Sequence, residues 1–144
     1  MVGVVLATHG GLGESLIGAM EMILGGQPRV GALSLQLADR LEDATARLQA
    51  ALAGADEGDG VLVLTDMLGG TPSNICLSLL GGPRPVEVVS GANLPMLLKA
   101  VQARRDAGLA EVAAQVKKVG RSAIIVAGEA LAGPEPRGEG GERG

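Results

Sequence analysis

The chain predicts a doubly wound α/β fold, a mostly parallel sheet flanked by helices. Short apolar runs such as Val2-Gly3-Val4-Val5-Leu6-Ala7 and Val61-Leu62-Val63-Leu64 do not alternate with polar residues, which is the pattern of strands buried on both faces. Between such runs lie stretches whose apolar residues recur at helical spacing. Strands alternating with helices assemble into a parallel sheet covered on each face.

The first strand, 2–7, leads to a helix over 13–24 with Leu16, Met20, Ile23 and Leu24 on one face, stopped by Gly25-Gly26. A second strand, Val30–Leu35, is weakened by Gly31. Asp39 or Asp43 can cap the next helix, which carries Leu41, Leu48 and Leu52 and ends in the stretch 54–60. Strand Val61–Thr65 precedes a helix over 72–80, opened by Pro72 at the first helical position. Strand 86–89 then gives way to a helix over 94–105, for which Asn93 is the cap. Leu109, Val112, Val116 and Val119 mark one more amphipathic helix, and 123–127 reads as a last strand. The short connection Gly120-Arg121 leaves that strand two places, as a fifth parallel strand in its own chain or outside it. From Gly133 onward Gly, Pro, Glu and Arg intermix, so a single domain over 1–131 is expected, followed by a disordered tail over 132–144.

Composition excludes several classes of function. With 144 residues and 47% hydrophobic content the chain can bury a core of its own, but it has no aromatic residue. Its core is therefore aliphatic, and a partner surface lacks the Trp and Tyr anchors of tight interfaces, which favours transient partners. A net charge of −4 supplies no basic stripe for nucleic acid. Strand 2–7 is too short, and lacks the basic flank, for a signal peptide, and no run approaches a membrane span. A cytoplasmic protein is expected. The lone Cys76 cannot form an internal disulfide, and no Cys/His pair has metal-ligand spacing, so Cys76 reads as a packing residue, with no metal and no cofactor expected.

The chemistry concentrates at strand ends. The chain's single histidine stands in Thr8-His9-Gly10, directly after the first strand, and Asp66 holds the matching place after the strand Val61–Thr65. In open α/β sheets the crevice beyond the carboxyl ends of the strands takes the ligand. If these two strands are neighbours, the carboxylate takes the Nδ1 proton and leaves Nε2 as a nucleophile. The alternative is a histidine that merely ends a strand. A third loop, Ser90 to Met96, converges on the same edge, with Asn93, Pro95 and Met96 mainly structural. Two nucleotide motifs fail: Leu16 stands where the dinucleotide fingerprint needs its third glycine, and no lysine precedes Lys99 for a P-loop.

In this order and spacing, Thr8-His9-Gly10, Asp66-x-x-Gly69-Gly70-Thr71-Pro72-x-Asn74 and Gly91-x-Asn93-x-Pro95-Met96 resemble the IIA domain of the mannose-type phosphoenolpyruvate-dependent sugar phosphotransferase system. The resemblance covers about residues 1–127. It implies a phosphoryl group accepted on His9 from the carrier HPr and passed to a IIB component, with the membrane reached only through IIC and IID components. On that reading Asp66 orients His9, while Gly10, Gly11, Gly69, Gly70 and Thr71 hold the phosphoryl oxygens through amides and a hydroxyl. Thr71 has a plainer alternative role as the helix cap before Pro72. None of the three loops carries Lys or Arg, which suits a group that must leave again. The resemblance also implies a homodimer whose C-terminal strand is exchanged, antiparallel, between protomers. Two other readings stay open. One is the phosphotransfer subunit of dihydroxyacetone kinase, which shares fold and histidine but lacks the Gly-Gly-Thr-Pro pattern. The other is a regulatory protein whose phosphorylated His9 controls a protein target. The chain shows no second domain to serve as IIB, so the next acceptor is expected to be a separate polypeptide or to be missing.

Overall fold

The computed structural model describes residues 1–132, without the side chains of residues 71–73. Its elements run β1 (Gly3–His9), α1 (Leu12–Leu24), β2 (Val30–Leu35), α2 (Leu41–Ala55), β3 (Val61–Thr65), α3 (Thr71–Leu77), β4 (Val86–Ser90), α4 (Leu94–Ala103), α5 (Leu109–Ser122) and α6 (Ala127–Leu131). The sheet has the order β2-β1-β3-β4, and every pair is parallel. From β1 the chain moves outward to β2 and then returns past β1 to β3, so the winding reverses between β1 and β3. The carboxyl ends of those two strands flank the crevice in which such folds bind ligands.

Alternation of side chains along each strand sorts the core into two layers. Val4, Leu6, Leu62 and Leu64 pack against Met20 of α1, Leu97 and Val101 of α4, and Val112 and Val116 of α5. Val5, Ala7, Val61 and Val63 face Leu48 and Leu52 of α2 and Ile75 and Cys76 of α3. Cys76 is fully buried, and burial pushes its thiol up to about 12, so it behaves as the packing residue expected. The α4 and α5 layer closes tightly at Gly120, where a Cβ would stand 2.6 Å from Met96 Cγ. Asn93 caps α4 as expected, its Oδ1 accepting the Met96 amide at 3.0 Å.

Four expectations need correction. Residues 123–127 do not form a strand: α5 runs on to Ser122, residues 124–126 pair with no described strand, and Ala127 already opens α6. A β-branched run is only half of a strand, because its N–H and C=O groups need a partner edge. Neither Asp39 nor Asp43 caps α2; the cap position is Arg40, and the Asp39 carboxylate instead accepts the Gln36 amide at 2.8 Å. The helix expected over 72–80 stops at Leu77. Ile23 is exposed, and Ile17 packs with Leu16, Met20 and Leu24 instead. The segment 133–144, where most of the expected tail falls, lies outside the described residues. No helix among the described residues is long and apolar enough to cross a membrane.

Candidate functional site

His9 is the last residue of β1, on the strand face that looks toward α2, and Asp66 directly follows β3. Because β1 and β3 are neighbours, with Ala7 in register with Thr65, the two side chains meet across the crevice. His9 Nδ1 lies 2.9 Å from Asp66 Oδ2, and the same oxygen accepts the His9 backbone N–H at 3.0 Å. The other carboxylate oxygen accepts the Met67 amide at 3.1 Å. The His9 side chain is 45% exposed and that of Asp66 15%. Partial burial raises the Asp66 carboxyl, but hydrogen bonds from the His9 amide and ring outweigh it, so the group lies below the ordinary carboxylate value. A charged carboxylate on Nδ1 selects the tautomer that carries its proton there, leaving the Nε2 lone pair free.

The turns around this pair depend on glycine. Gly10 has φ +51° and Gly69 φ +95°, the left-handed region that side chains resist. The Gly10 amide is occupied, since it donates to the Leu35 carbonyl at 2.9 Å and extends the β1–β2 ladder. The buried hydroxyl of Thr8 takes the Gly13 amide at 2.9 Å. The amides of Gly11, Gly69 and Gly70 find no acceptor among the described residues. Of the sequence-predicted phosphoryl ligands, Gly11, Gly69 and Gly70 thus have amides without an acceptor among the described residues, whereas the Gly10 amide is taken by Leu35. The Thr71 side chain lies outside the described residues.

Beside His9 opens a cavity of about 400 Å³ lined by Gly10, Leu35, Gln36, Leu37, Leu41 and Ala44 among others. Leu37, Met67 and Leu68 are exposed on the surrounding loops, and Leu12 and Leu41 at the first positions of α1 and α2. No group of three or more His, Cys, Asp or Glu residues that could hold a metal exists among the described residues. Sequence reading missed the β2 side of the site, where the Ser34 hydroxyl donates to the Gly10 carbonyl and Gln36 Nε2 donates to Ser34 Oγ. The available signal was Ser34 itself, a hydroxyl near the end of an otherwise apolar strand.

Known proteins with the same sequence pattern extend over most of the chain. The family model for PTS system fructose IIA components matches residues 3–117. A PTS system mannose-specific EIIAB component of Escherichia coli (strain K12) is 33% identical over 124 residues, which are 85% of this chain and 38% of that protein. The chain thus spans well under half the length of that relative. A PTS system fructose-specific EIIA component of Bacillus subtilis (strain 168) is 26% identical over 91% of this chain and 90% of its own length. Among solved structures, the phosphotransferase system component EIIA from Streptococcus agalactiae matches with TM-score 0.81 and 27% identity, over 90% of this chain and 99% of that one. A mannose/sorbose specific IIA subunit from Enterococcus faecalis matches with TM-score 0.78 and 30% identity, over 87% of this chain and 93% of that one. Family match, sheet order and the meeting of His9 with Asp66 agree: the chain belongs to the mannose-type IIA family of the sugar phosphotransferase system.

Proposed function

We propose that this protein is a cytoplasmic phosphocarrier that takes a phosphoryl group from phospho-HPr on His9 and hands it to a IIB component. The contact of His9 Nδ1 with Asp66 Oδ2 at 2.9 Å carries the reading. Nε2 attacks the phosphorus of phospho-HPr, the new N–P bond forms as the donor's N–P bond breaks, and the positive charge gained by the imidazole rests against Asp66. The amides of Gly11, Gly69 and Gly70, with the Thr71 hydroxyl, receive the phosphoryl oxygens, and Gly10 shapes the turn that presents them. No Lys or Arg in these loops holds the group, so it leaves by the reverse displacement onto a IIB component. The exposed leucines and Met67 around His9 offer each partner an aliphatic rim without aromatic anchors, fitting brief encounters. The sugar-specific names of the matched relatives favour this reading over the dihydroxyacetone kinase subunit.

The test is a transfer assay from phosphoenolpyruvate, enzyme I and HPr to this protein and onward to candidate IIB domains. Acid-labile, alkali-stable label passing through His9 to a IIB domain is the expected result. Label that arrives but never leaves would favour the regulatory reading instead.

The homodimer belongs to the same proposal. β4 is an edge strand, and along it and α5 runs a groove of about 520 Å³ lined by Val88, Val89, Ala113 and Ala114 among others. Ile124, Ile125 and Val126 are 78%, 67% and 58% exposed. Burying such side chains is worth roughly 1.5–3 kcal/mol each, and an open edge invites pairing. Exchange of residues 123–127 between protomers would satisfy both features. Deletion from Arg121 onward is expected to give monomers or aggregates in light scattering, and a well-folded dimer after that deletion would contradict the exchange.

A further inference from the structure

We propose that Ser34, backed by Gln36, is a positioning residue for phosphoryl transfer at His9: it fixes the Gly10–Gly11 peptide so that the Gly11 N–H faces the phosphoryl group. The inference rests on the phosphocarrier reading. Ser34 lies on β2, in register with Thr8, on the side of β1 opposite Asp66. Its hydroxyl donates to the Gly10 carbonyl at 2.5 Å, and Gln36 Nε2 donates to Ser34 Oγ at 3.0 Å. A hydroxyl has one hydrogen to give; with Gln36 filling a lone pair, that hydrogen goes to Gly10.

In a trans peptide the C=O and N–H point in opposite directions, so a Gly10 carbonyl drawn toward β2 turns the Gly11 N–H toward the side from which Asp66 reaches His9. Nothing else restrains this peptide strongly. Both flanking residues are glycines, Gly10 sits at φ +51°, and a Cβ at either position would meet no atom within 4 Å. The Gly10 amide is tied to Leu35, but that bond restrains the preceding peptide plane. The end of β2 is itself anchored, since Arg47 Nη2 donates to the Ser34 carbonyl at 2.8 Å, and the Asp39 carboxylate accepts the Gln36 amide at 2.8 Å and Arg47 Nη1 at 3.3 Å. The histidine is thus set from two sides, its ring by Asp66 of the β3 loop and the donor next to it by Ser34 of β2.

Ser34→Ala, Ser34→Thr and Gln36→Ala test this in two measurements on 15N-labelled protein. In the unphosphorylated chain, Ser34→Ala should show microsecond-to-millisecond exchange broadening at Gly10 and Gly11 that wild type lacks. In transfer from phospho-HPr, Ser34→Ala should lower kcat roughly tenfold, the size of one lost hydrogen bond, with KM unchanged and the phosphorylation-induced shift of the Gly11 amide diminished. Ser34→Thr should restore both values, and Gln36→Ala should fall between. A folded Ser34→Ala protein with wild-type kcat and a wild-type Gly11 shift would overturn the proposal alone. Wild-type protein that takes no phosphoryl group from phospho-HPr would overturn it together with the carrier reading.

Discussion

At its amino end β1 is sealed by Arg104, whose side chain reaches back from the end of α4 and is buried at 3% exposure. Its Nη1 donates to the carbonyls of Val2 and Arg29, and Nη2 donates to Pro28 at 2.6 Å. Burial lowers the Arg104 pKa, yet a guanidinium starts so high that it stays charged. At its carboxyl end the same strand finishes in His9, nearly half exposed, beside glycine turns with unspent amides and exposed leucines. The difference lies in where the partners come from, although the buried Arg104 Nε itself finds no acceptor among the described residues. At the amino end three carbonyls are met by one cation from within the chain, which ties α4 to the start of β1 and the approach to β2. At the carboxyl end Asp66 holds His9 and Ser34 holds the Gly10 carbonyl, while the amides of Gly11, Gly69 and Gly70 find no acceptor among the described residues.

That contrast breaks most sharply at Asp66. Asp66→Asn keeps the shape but removes the charge, and its amide can donate to Nδ1 and select the wrong tautomer. We expect a folded protein that accepts phosphoryl groups at least about a hundredfold more slowly, measured as rate of label uptake from phospho-HPr. Arg104→Met should do the reverse. It takes the guanidinium from the Val2 and Pro28 carbonyls, whereas the Arg29 carbonyl keeps the Val4 amide, so urea unfolding should show a loss of roughly 2–4 kcal/mol, while the folded fraction takes label at the wild-type rate. The smallest effect is on acid stability. The Asp66 carboxyl is depressed in the folded state, so its contribution is present above the ordinary carboxylate value of 3.8 and is lost as pH falls through the folded pKa. Wild type should lose stability relative to Asp66→Asn over that acid range, and parallel acid-unfolding curves would contradict the pairing.

His9 and Asp66 are legible in the sequence because each follows an apolar run, and a doubly wound fold places the ends of such runs at one crevice. The aliphatic core and the cap at Asn93 are legible for similar local reasons. Ser34 is not, since its bond to Gly10 depends on the register of β2 against β1, which no single strand records. Arg104 is equally opaque: it reads as one cation at a helix end, whereas its acceptors at Val2, Pro28 and Arg29 lie far away in the chain. Residues 124–126 pair with no described strand of their own chain, because β-branched residues state a preference and only a neighbouring edge, here proposed on a second protomer, makes a strand.

Phosphorylation of 15N-histidine-labelled protein with phosphoenolpyruvate, enzyme I and HPr, followed by two-bond 15N–1H correlation of the imidazole, reads the central claim at the atom concerned. With Asp66 on Nδ1, the phosphoryl group should appear on Nε2 of His9 alone, and His9→Ala should take no label. A phosphoryl group on Nδ1, or label that survives His9→Ala, would contradict it.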